Sequence, residues 1–239
     1  MKITTPYYID ESGDLEEGGL SFFMLGCVIV NDTEENHRRI SQLKEHIRDN
    51  LALRKHRMEN GFHACENHLE IYQEFIKILF SLDFRAYIVF LDKKSGYFKE
   101  LIKNCSKEEI YNKLLIHLLR PRLLKRCLNK NLLYFERQGN KMEKEKHEKE
   151  VIITQINKGL IADRLISLDL DFEVCVVEKG DTLISVVDYV LHIFSRVYNK
   201  QGKNYMERNF ELIEPKIAVI HDIAKNEYYK LRNMAKSFL

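Results

Sequence analysis

The sequence has no tryptophan, three prolines and no Cys-x-x-Cys pair in 239 residues. No linker rich in Pro, Gly or Ser divides it, so we expect a single domain over residues 1–239. The five cysteines are an odd, scattered number, which argues against a disulfide framework and is typical of a reducing compartment. The apolar runs fall short of the ~20 residues of a membrane helix, and no secretory pattern follows Met1. We therefore expect a cytoplasmic protein with no membrane contact.

Charge is nearly balanced, with 38 Lys and Arg against 36 Asp and Glu. This balance provides no global basic field, so contact with nucleic acid would depend on local patches. The segment "RPRLLKRCLNK" (120–130) is such a patch, although a helix C-terminus also favours basic residues. No GxxxxGK[ST] or GxGxxG motif supports the usual modes of nucleotide binding. The candidate nucleic-acid contacts are Arg120, Arg122, Lys125, Arg126 and Arg137.

The pattern of apolar residues predicts two adjacent strands followed by strands that alternate with helices. The strands are predicted at 6–10, 20–30, 84–92 and 131–139 and in "LDFEVCVVEKG". This order predicts an α/β fold with a mixed sheet that begins antiparallel. We expect a core over about 6–199 and a helical C-terminal extension over about 205–239. The charged segment "NKMEKEKHEKE" (140–150) is interpreted as a solvated helix face, with a phosphate-binding flap as the alternative.

Two predicted strands end in an aromatic residue, a spacer and an acid. Tyr8 and Asp10 share a face of the first strand, and Tyr134 and Glu136 share a face of a later one. Asp188 lies in the apolar stripe of the helix "LISVVDYVLHIF", where a lone carboxylate must be paired, protonated or bound to a cation. The alternative is a structural Asp188 bonded to a histidine one turn on or to a backbone N–H.

Three acids from distant segments could meet at one edge of the sheet. Hard oxygen ligands of this kind suit Mg²⁺ or Mn²⁺. Two such ions would clamp the attacking and leaving oxygens of a phosphodiester. The residues thus predict a divalent-metal-dependent nuclease, with Asp10 between the ions and Glu136 and Asp188 each holding one.

The segments "YYIDESGD", "FHACEN", "LLYFERQG" and "ISVVDYVLHIFSRVYN" resemble, in order, those of the bacterial domain of unknown function 3800 family, which is placed in the ribonuclease H-like superfamily. The chain differs from the family at "VVDYV", where an "ADxxA" helix is usual, and at "FER", where Asp is common. The resemblance implies a five-stranded ribonuclease H-like sheet with the first strand central and helical insertions. It also implies metal ligands at Asp10, Glu136 and Asp188, and a context of mobile elements or phage defence with a protein partner.

Several neighbouring residues have two interpretations. Glu11 is either a further metal ligand or a surface acid, and Asp14 is interpreted as a turn acid. His63 either handles a proton or a phosphate in catalysis, or is a hydrogen-bonded loop histidine. The HxCxxH spacing of His63, Cys65 and His68 suits zinc, but no fourth Cys or His ligand lies close in sequence.

The competing functions are a scaffold that binds nucleic acid or protein without cutting, and another phosphoryl transfer on nucleotides. The sequence does not distinguish DNA from RNA or endonuclease from exonuclease activity. It also leaves open the oligomeric state and whether the protein acts alone.

Overall fold

A computed structural model describes residues 3–16, 20–56, 58, 61–136, 150–154, 156–157, 170–178, 180–199 and 204–229. The strands are β1 (Thr4–Gly13), β2 (Phe22–Val30), β3 (Phe84–Asp92), β4 (Lys130–Glu136), β5 (Phe172–Val177), β6 (Ile217–Asp222) and β7 (Glu227–Tyr229). The main helices are α1 (Thr33–Asp49), α2 (Leu69–Leu79), α3 (Gly96–Asn104), α4 (Lys107–Lys125), α5 (Ile184–Tyr198) and α6 (Asn204–Ile213). None of the described helices combines the length and apolar character that a membrane crossing requires.

The strands form one mixed sheet in the order β5-β4-β1-β2-β3-β6-β7. Strand β2 is antiparallel to both β1 and β3, whereas β4 is parallel to β1 and to β5. The predicted α/β class with an antiparallel start is therefore confirmed. The prediction of five strands needs correction, because the sheet has seven. Its first five strands take the order β5-β4-β1-β2-β3, with β1 in the middle of those five.

The prediction of a helical C-terminal extension is wrong in part, because the extension also contains strands. Within its described residues, up to 229, the one α-helix is α6, and β6 and β7 follow it. The segment "IAVIHD" (217–222) carries β-branched residues and pairs parallel with β3 through contacts such as Ile88 with Ile220. A run of six residues is too short for its periodicity to separate a strand from a helix, which explains the error. Residues 230–239 lie outside the described part of the chain.

Helices cover both faces of the sheet. One face packs against α1, α2, α5 and α6, and the opposite face packs against α3 and α4. Because side chains alternate along β1, Tyr8 belongs to the first core and Tyr7 and Ile9 to the second. Asp10 therefore projects on the same face as Tyr8, toward α5.

Candidate active site

Strands β1 and β4 bring Asp10 and Glu136 to the same end of the sheet. Tyr8 pairs directly with Tyr134, and their rings stack with centroids 4.9 Å apart and planes within 10°. The two acids lie two residues farther along these parallel strands, on the same face as the tyrosines. Neighbouring strands are about 4.8 Å apart, so the stacked rings support a pair of adjacent carboxylates.

Gly26 allows α5 to pack closely over Asp10. It is the β2 residue that pairs with Asp10. A Cβ atom at Gly26 would lie 2.9 Å from the side chains of both Val187 and Leu191 on α5, well inside normal packing distance. Asp188 lies between these two residues in the helix. A glycine in the strand thus sets the short distance between α5 and β1 that places a third acid over the first.

His63 lies between two of the acids. Its Nδ1 is 3.5 Å from Asp188 Oδ2, and its Nε2 is 4.0 Å from Glu136 Oε1. The Nε2 atom is buried and makes no hydrogen bond within the described part of the chain. The next residue, Ala64, donates its backbone N–H to Asp188 Oδ2 at 2.8 Å. The loop before α2 therefore supplies both an imidazole and a main-chain donor to this cluster.

Asn67 holds this loop in place. Its Oδ1 accepts hydrogen bonds from the His63 N–H at 2.7 Å and from the Tyr189 hydroxyl at 3.2 Å. Its Nδ2 donates to the Gly61 carbonyl at 3.2 Å. One amide side chain thus joins both ends of the segment around His63 to α5, the helix that carries Asp188.

Two glycine backbones touch where this loop meets the loop before α5. Gly61 and Gly180 have φ values of +76° and +84°, which residues other than glycine rarely adopt. A Cβ at Gly61 would lie 2.9 Å from the Gly180 carbonyl oxygen. The Gly180 N–H donates to Glu136 Oε1 at 3.1 Å. The contact between the loops therefore brings a main-chain donor to the second acid and holds His63 nearby.

The electrostatics of the cluster are unfavourable without a cation. Burial, followed by repulsion from Asp188 and Glu136, raises the pKa of Asp10 to about 8, although the Glu11 N–H that Asp10 accepts at 2.8 Å opposes the shift. The hydrogen bond with Asp188 raises the pKa of His63, an effect that burial partly offsets. Three carboxylates and one imidazole thus share a partly enclosed space, where a bound positive charge would relieve the repulsion.

This donor set suits a hard divalent cation, with one geometric condition. Among the described residues, the oxygens of Asp10, Glu136 and Asp188 do not all lie within 4.8 Å of one another. The set is therefore wider than expected of three ligands of one ion. The recorded hydrogen bonds use one oxygen of each carboxylate, namely Asp10 Oδ1, Glu136 Oε1 and Asp188 Oδ2.

The alternative interpretation, in which Asp188 has a structural role, agrees with one of its hydrogen bonds. Its bond to the Ala64 N–H is the backbone contact that this alternative requires. The suggested bond to His192 is replaced by another pair, because His192 Nδ1 lies 3.2 Å from Cys65 Sγ. The carboxylate therefore organises the loop and also faces the other two acids.

Two further acids, Glu11 in β1 and Asp14 just after it, lie outside this cluster. Glu11 projects to the opposite face, toward Tyr111 on α4. Burial of the Tyr111 hydroxyl is the main cause that raises its pKa, and the negative charge of Glu11 raises it further. Asp14 accepts a hydrogen bond from Lys93 Nζ at 3.0 Å and another from the Glu16 N–H at 2.9 Å. Glu11 is thus separated from the cluster by its position on the other face, and Asp14 by its hydrogen bonds with Lys93 and Glu16.

The basic segment lies far from the acids. It forms the end of α4 and leads into Lys130, the first residue of β4, whereas Glu136 is the last. Six strand residues at about 3.3 Å each separate the two ends by about 20 Å. The segment also packs on the opposite face of the sheet.

The basic residues differ in exposure. Arg122 is buried, donates to the Leu118 carbonyl at 2.6 Å and lies 4.3 Å from the centre of the Tyr87 ring. Lys125 is exposed, and Arg120 and Arg126 are half-buried. Arg137 and most of the 140–150 segment lie outside the described residues.

Two contributions to the site have weak sequence signals. Gly26 stands alone in the apolar run "LSFFMLGCVIV", and an isolated glycine in a strand marks a close approach. The N–H groups of Ala64 and Gly180 have no side-chain signature, so only the folded backbone identifies them.

No protein-family model and no curated protein matches the sequence. The resemblance to the domain of unknown function 3800 family therefore has no support from a family model. Among solved structures, the chain is similar to the ribonuclease H2 from Pyrococcus horikoshii OT3 with 13% identity. The match covers 88% of this chain and 86% of that one, with a TM-score of 0.49. Similarity at this level assigns neither a family nor an activity to the chain.

Proposed function

We propose that the protein is a nuclease that depends on Mg²⁺ or Mn²⁺ and hydrolyses phosphodiester bonds of DNA or RNA. The observation that carries the proposal is that Glu136 from β4 and Asp188 from α5 lie on either side of His63, and that both repel Asp10 of β1. Acids from three distant parts of the chain repel one another at this point, which costs stability. A site that binds divalent cations accounts for their retention.

Each side chain has a defined role in this proposal. Asp10, which both other acids repel, would contribute to holding both ions, and Glu136 and Asp188 would each hold one. Divalent ions bound there would activate water and stabilise charge on the phosphoryl oxygens. His63, whose pKa the neighbouring Asp188 raises, would carry a proton on Nε2 and donate it to the leaving oxygen or to a phosphate oxygen.

The basic residues Arg120, Lys125 and Arg126 would contact the backbone of a long substrate away from the cut. The distance of about 20 Å from Glu136 corresponds to about six base pairs at 3.4 Å each. Arg122 is left out of this role because its guanidinium is buried. Arg137, which follows Glu136 in sequence, remains a candidate phosphate contact at the site itself.

The four motifs of the sequence also lead us to infer membership of the domain of unknown function 3800 family, with a ribonuclease H-like core. A role in mobile elements or phage defence, with a protein partner, follows from that membership and stands as part of the proposal.

A second candidate is a scaffold that binds nucleic acid without cutting it. The main-chain hydrogen bonds of Asp188 and Glu136 favour it, because they give these acids structural partners without a metal. Catalysis requires the metal, whereas this alternative does not, so the two candidates separate experimentally.

The test is cleavage of labelled single- and double-stranded DNA and RNA with Mn²⁺, Mg²⁺ or EDTA. The wild type is compared with Asp10→Asn and with Asp14→Asn, a matched change on the same segment outside the cluster. We expect metal-dependent cutting by the wild type and Asp14→Asn, and at least a 100-fold loss in Asp10→Asn, as for removal of a key electrostatic group. Binding of nucleic acid without cutting by any variant would favour the scaffold.

A further inference from the structure

A second group of potential metal ligands lies at the two ends of the loop that carries His63. His56 follows α1, His68 is the N-cap of α2, and Glu70 lies in the first turn of α2. Each of the three offers one ligand atom, and these atoms all lie within 4.8 Å of one another. It is the one group of three or more His, Cys, Asp or Glu side chains with this spacing among the described residues.

The internal geometry of the group brings two imidazoles to one carboxylate oxygen. His56 Nε2 is 2.7 Å from Glu70 Oε2, and His68 Nδ1 is 3.9 Å from the same oxygen. The two rings are nearly parallel, with centroids 3.8 Å apart. The hydrogen bond of His68 Nδ1 with the Glu70 N–H is long, at 3.4 Å. A small movement would therefore direct three donor atoms at one point.

The chemistry of these donors differs from that of the acid cluster. Two imidazole nitrogens and one carboxylate are a common set for Zn²⁺, whereas Mg²⁺ and Mn²⁺ prefer oxygen ligands. The His56 side chain is 14% exposed, and those of His68 and Glu70 are 53% and 47% exposed. The group is thus anchored by one partly buried ligand and open to solvent on the other side, where water could complete a tetrahedral shell.

We propose that His56, His68 and Glu70 bind a divalent transition-metal ion of the Zn²⁺ class, and that this ion joins the end of α1 to the start of α2. The segment between these ends carries His63 and Ala64, and Asn67 directly precedes His68. The ion is a positioning element: it fixes the loop that reaches Asp188. The binding part of the proposal does not depend on the nuclease activity.

The first experiment is calorimetric titration of metal-stripped protein with Zn²⁺ in the presence of excess Mg²⁺, which occupies sites built from oxygen ligands. We expect one Zn²⁺ per chain in the wild type. His68→Gln should weaken this binding by at least about 100-fold, since even the loss of an outer-shell partner costs about 10–100-fold. Co²⁺ in place of Zn²⁺ should give the visible absorption of a four-coordinate ion with nitrogen ligands.

Three further variants give the result its specificity. His46→Gln changes an exposed histidine of α1 outside the group and should bind like the wild type. Asp10→Asn should also retain Zn²⁺ binding. His56→Gln repeats the test at the more buried ligand, while the exposure of His68 protects the main variant from misfolding. Equal affinity in His68→Gln and the wild type, or loss of Zn²⁺ binding only in Asp10→Asn, would overturn the site.

Hydrogen exchange tests the positioning part of the proposal. Zn²⁺ should slow exchange of the Ala64 and His63 amides, whose acceptors are Asp188 and Asn67, at least tenfold in the wild type and not in His68→Gln. Binding of Zn²⁺ without slower exchange at these two amides would refute the link between the ion and the loop.

Discussion

Replacing Asp10 with Asn should make the metal-free protein more stable while abolishing its proposed activity. The folded-state pKa of Asp10 is about 8, against 3.8 for an ordinary Asp. A raised acid pKa means that the folded protein keeps a proton that the unfolded chain releases. This group therefore lowers stability as the pH rises from about 4 to about 8, and has no further effect above that. Asn is neutral at every pH and can still accept the Glu11 N–H.

The size of the effect follows from the two pKa values. The value pH 7 lies about three units above the pKa of the unfolded carboxyl. At 1.4 kcal/mol per unit, the loss of folding stability at pH 7 is about 4 kcal/mol. Solvent reaches part of the Asp10 side chain, so screening reduces this figure, and we expect a gain of about 2 kcal/mol. For a chain of this length that corresponds to roughly 4–8 °C in Tm.

The assay is denaturant and thermal unfolding in EDTA at pH 4 and pH 7. The variant should be more stable than the wild type at pH 7. The difference should fall below about 1 kcal/mol at pH 4, which lies close to the unfolded-state pKa of 3.8. Asp14→Asn is the control: its carboxylate pairs with Lys93, which lowers its pKa, so its loss should slightly destabilise the protein at pH 7.

Added Mn²⁺ should stabilise the wild type and leave Asp10→Asn nearly unchanged, because the ion binds only the ionised cluster. A variant that is less stable than the wild type at pH 7 in EDTA would refute the reasoning, since it would mean that the Asp10 carboxylate contributes favourable contacts rather than repulsion.

Three further changes test the supports of the site. Gly26→Ala should lower stability by about 1–3 kcal/mol and reduce cleavage, because the new methyl group forces Leu191 and its helix away from Asp10. Unfolding and cleavage assays measure the two effects, and unchanged stability and cleavage would contradict the close packing. Asn67→Ala should cost about 1–3 kcal/mol through lost hydrogen bonds and loosen His63, with faster amide exchange around His63 as the readout; unchanged exchange would argue against the link. Burial lowers the pKa of His221 to about 4, so the unfolded state binds the extra proton, and this group by itself should lower stability by about 2 kcal/mol between pH 7 and pH 5, opposite in sign to the contribution of Asp10. In denaturant unfolding, the stability of His221→Gln relative to the wild type should therefore rise by about that amount between these pH values, and a constant difference would contradict the assignment.

The sequence predicted the first five strands because each has a strong local pattern. The run before Gly26 and the segment around Tyr134 are apolar and rich in β-branched or aromatic residues. Strand β6 was missed because its short run directly follows a helical segment, and periodicity over so few residues does not separate a strand from a helix. This error turned a two-strand extension of the sheet into a predicted helix.

The sequence also predicts some features of the site better than others. Strand alternation suggested that Asp10 and Glu136 would lie together, and helical spacing placed Asp188 on a buried face. In the structure Glu136 and Asp188 lie within 4.0 Å of His63, and the charges of both act on Asp10. Their role as metal ligands remains a prediction. The basic segment precedes β4 closely in sequence, but the length of the strand places it about 20 Å from Glu136. Sequence distance and spatial distance differ most along an extended strand.

The added strands also change what the sheet exposes to other molecules. In a five-stranded sheet, β3 would be an edge, and its unpaired backbone groups would offer a template for another chain. Here β6 covers that edge and is covered in turn by β7, a strand of only three residues that begins with Glu227. A short, charged outermost strand is a poor template for pairing. The C-terminal strands thus protect the β3 side of the sheet against edge-to-edge pairing, and their removal should favour self-association through β3.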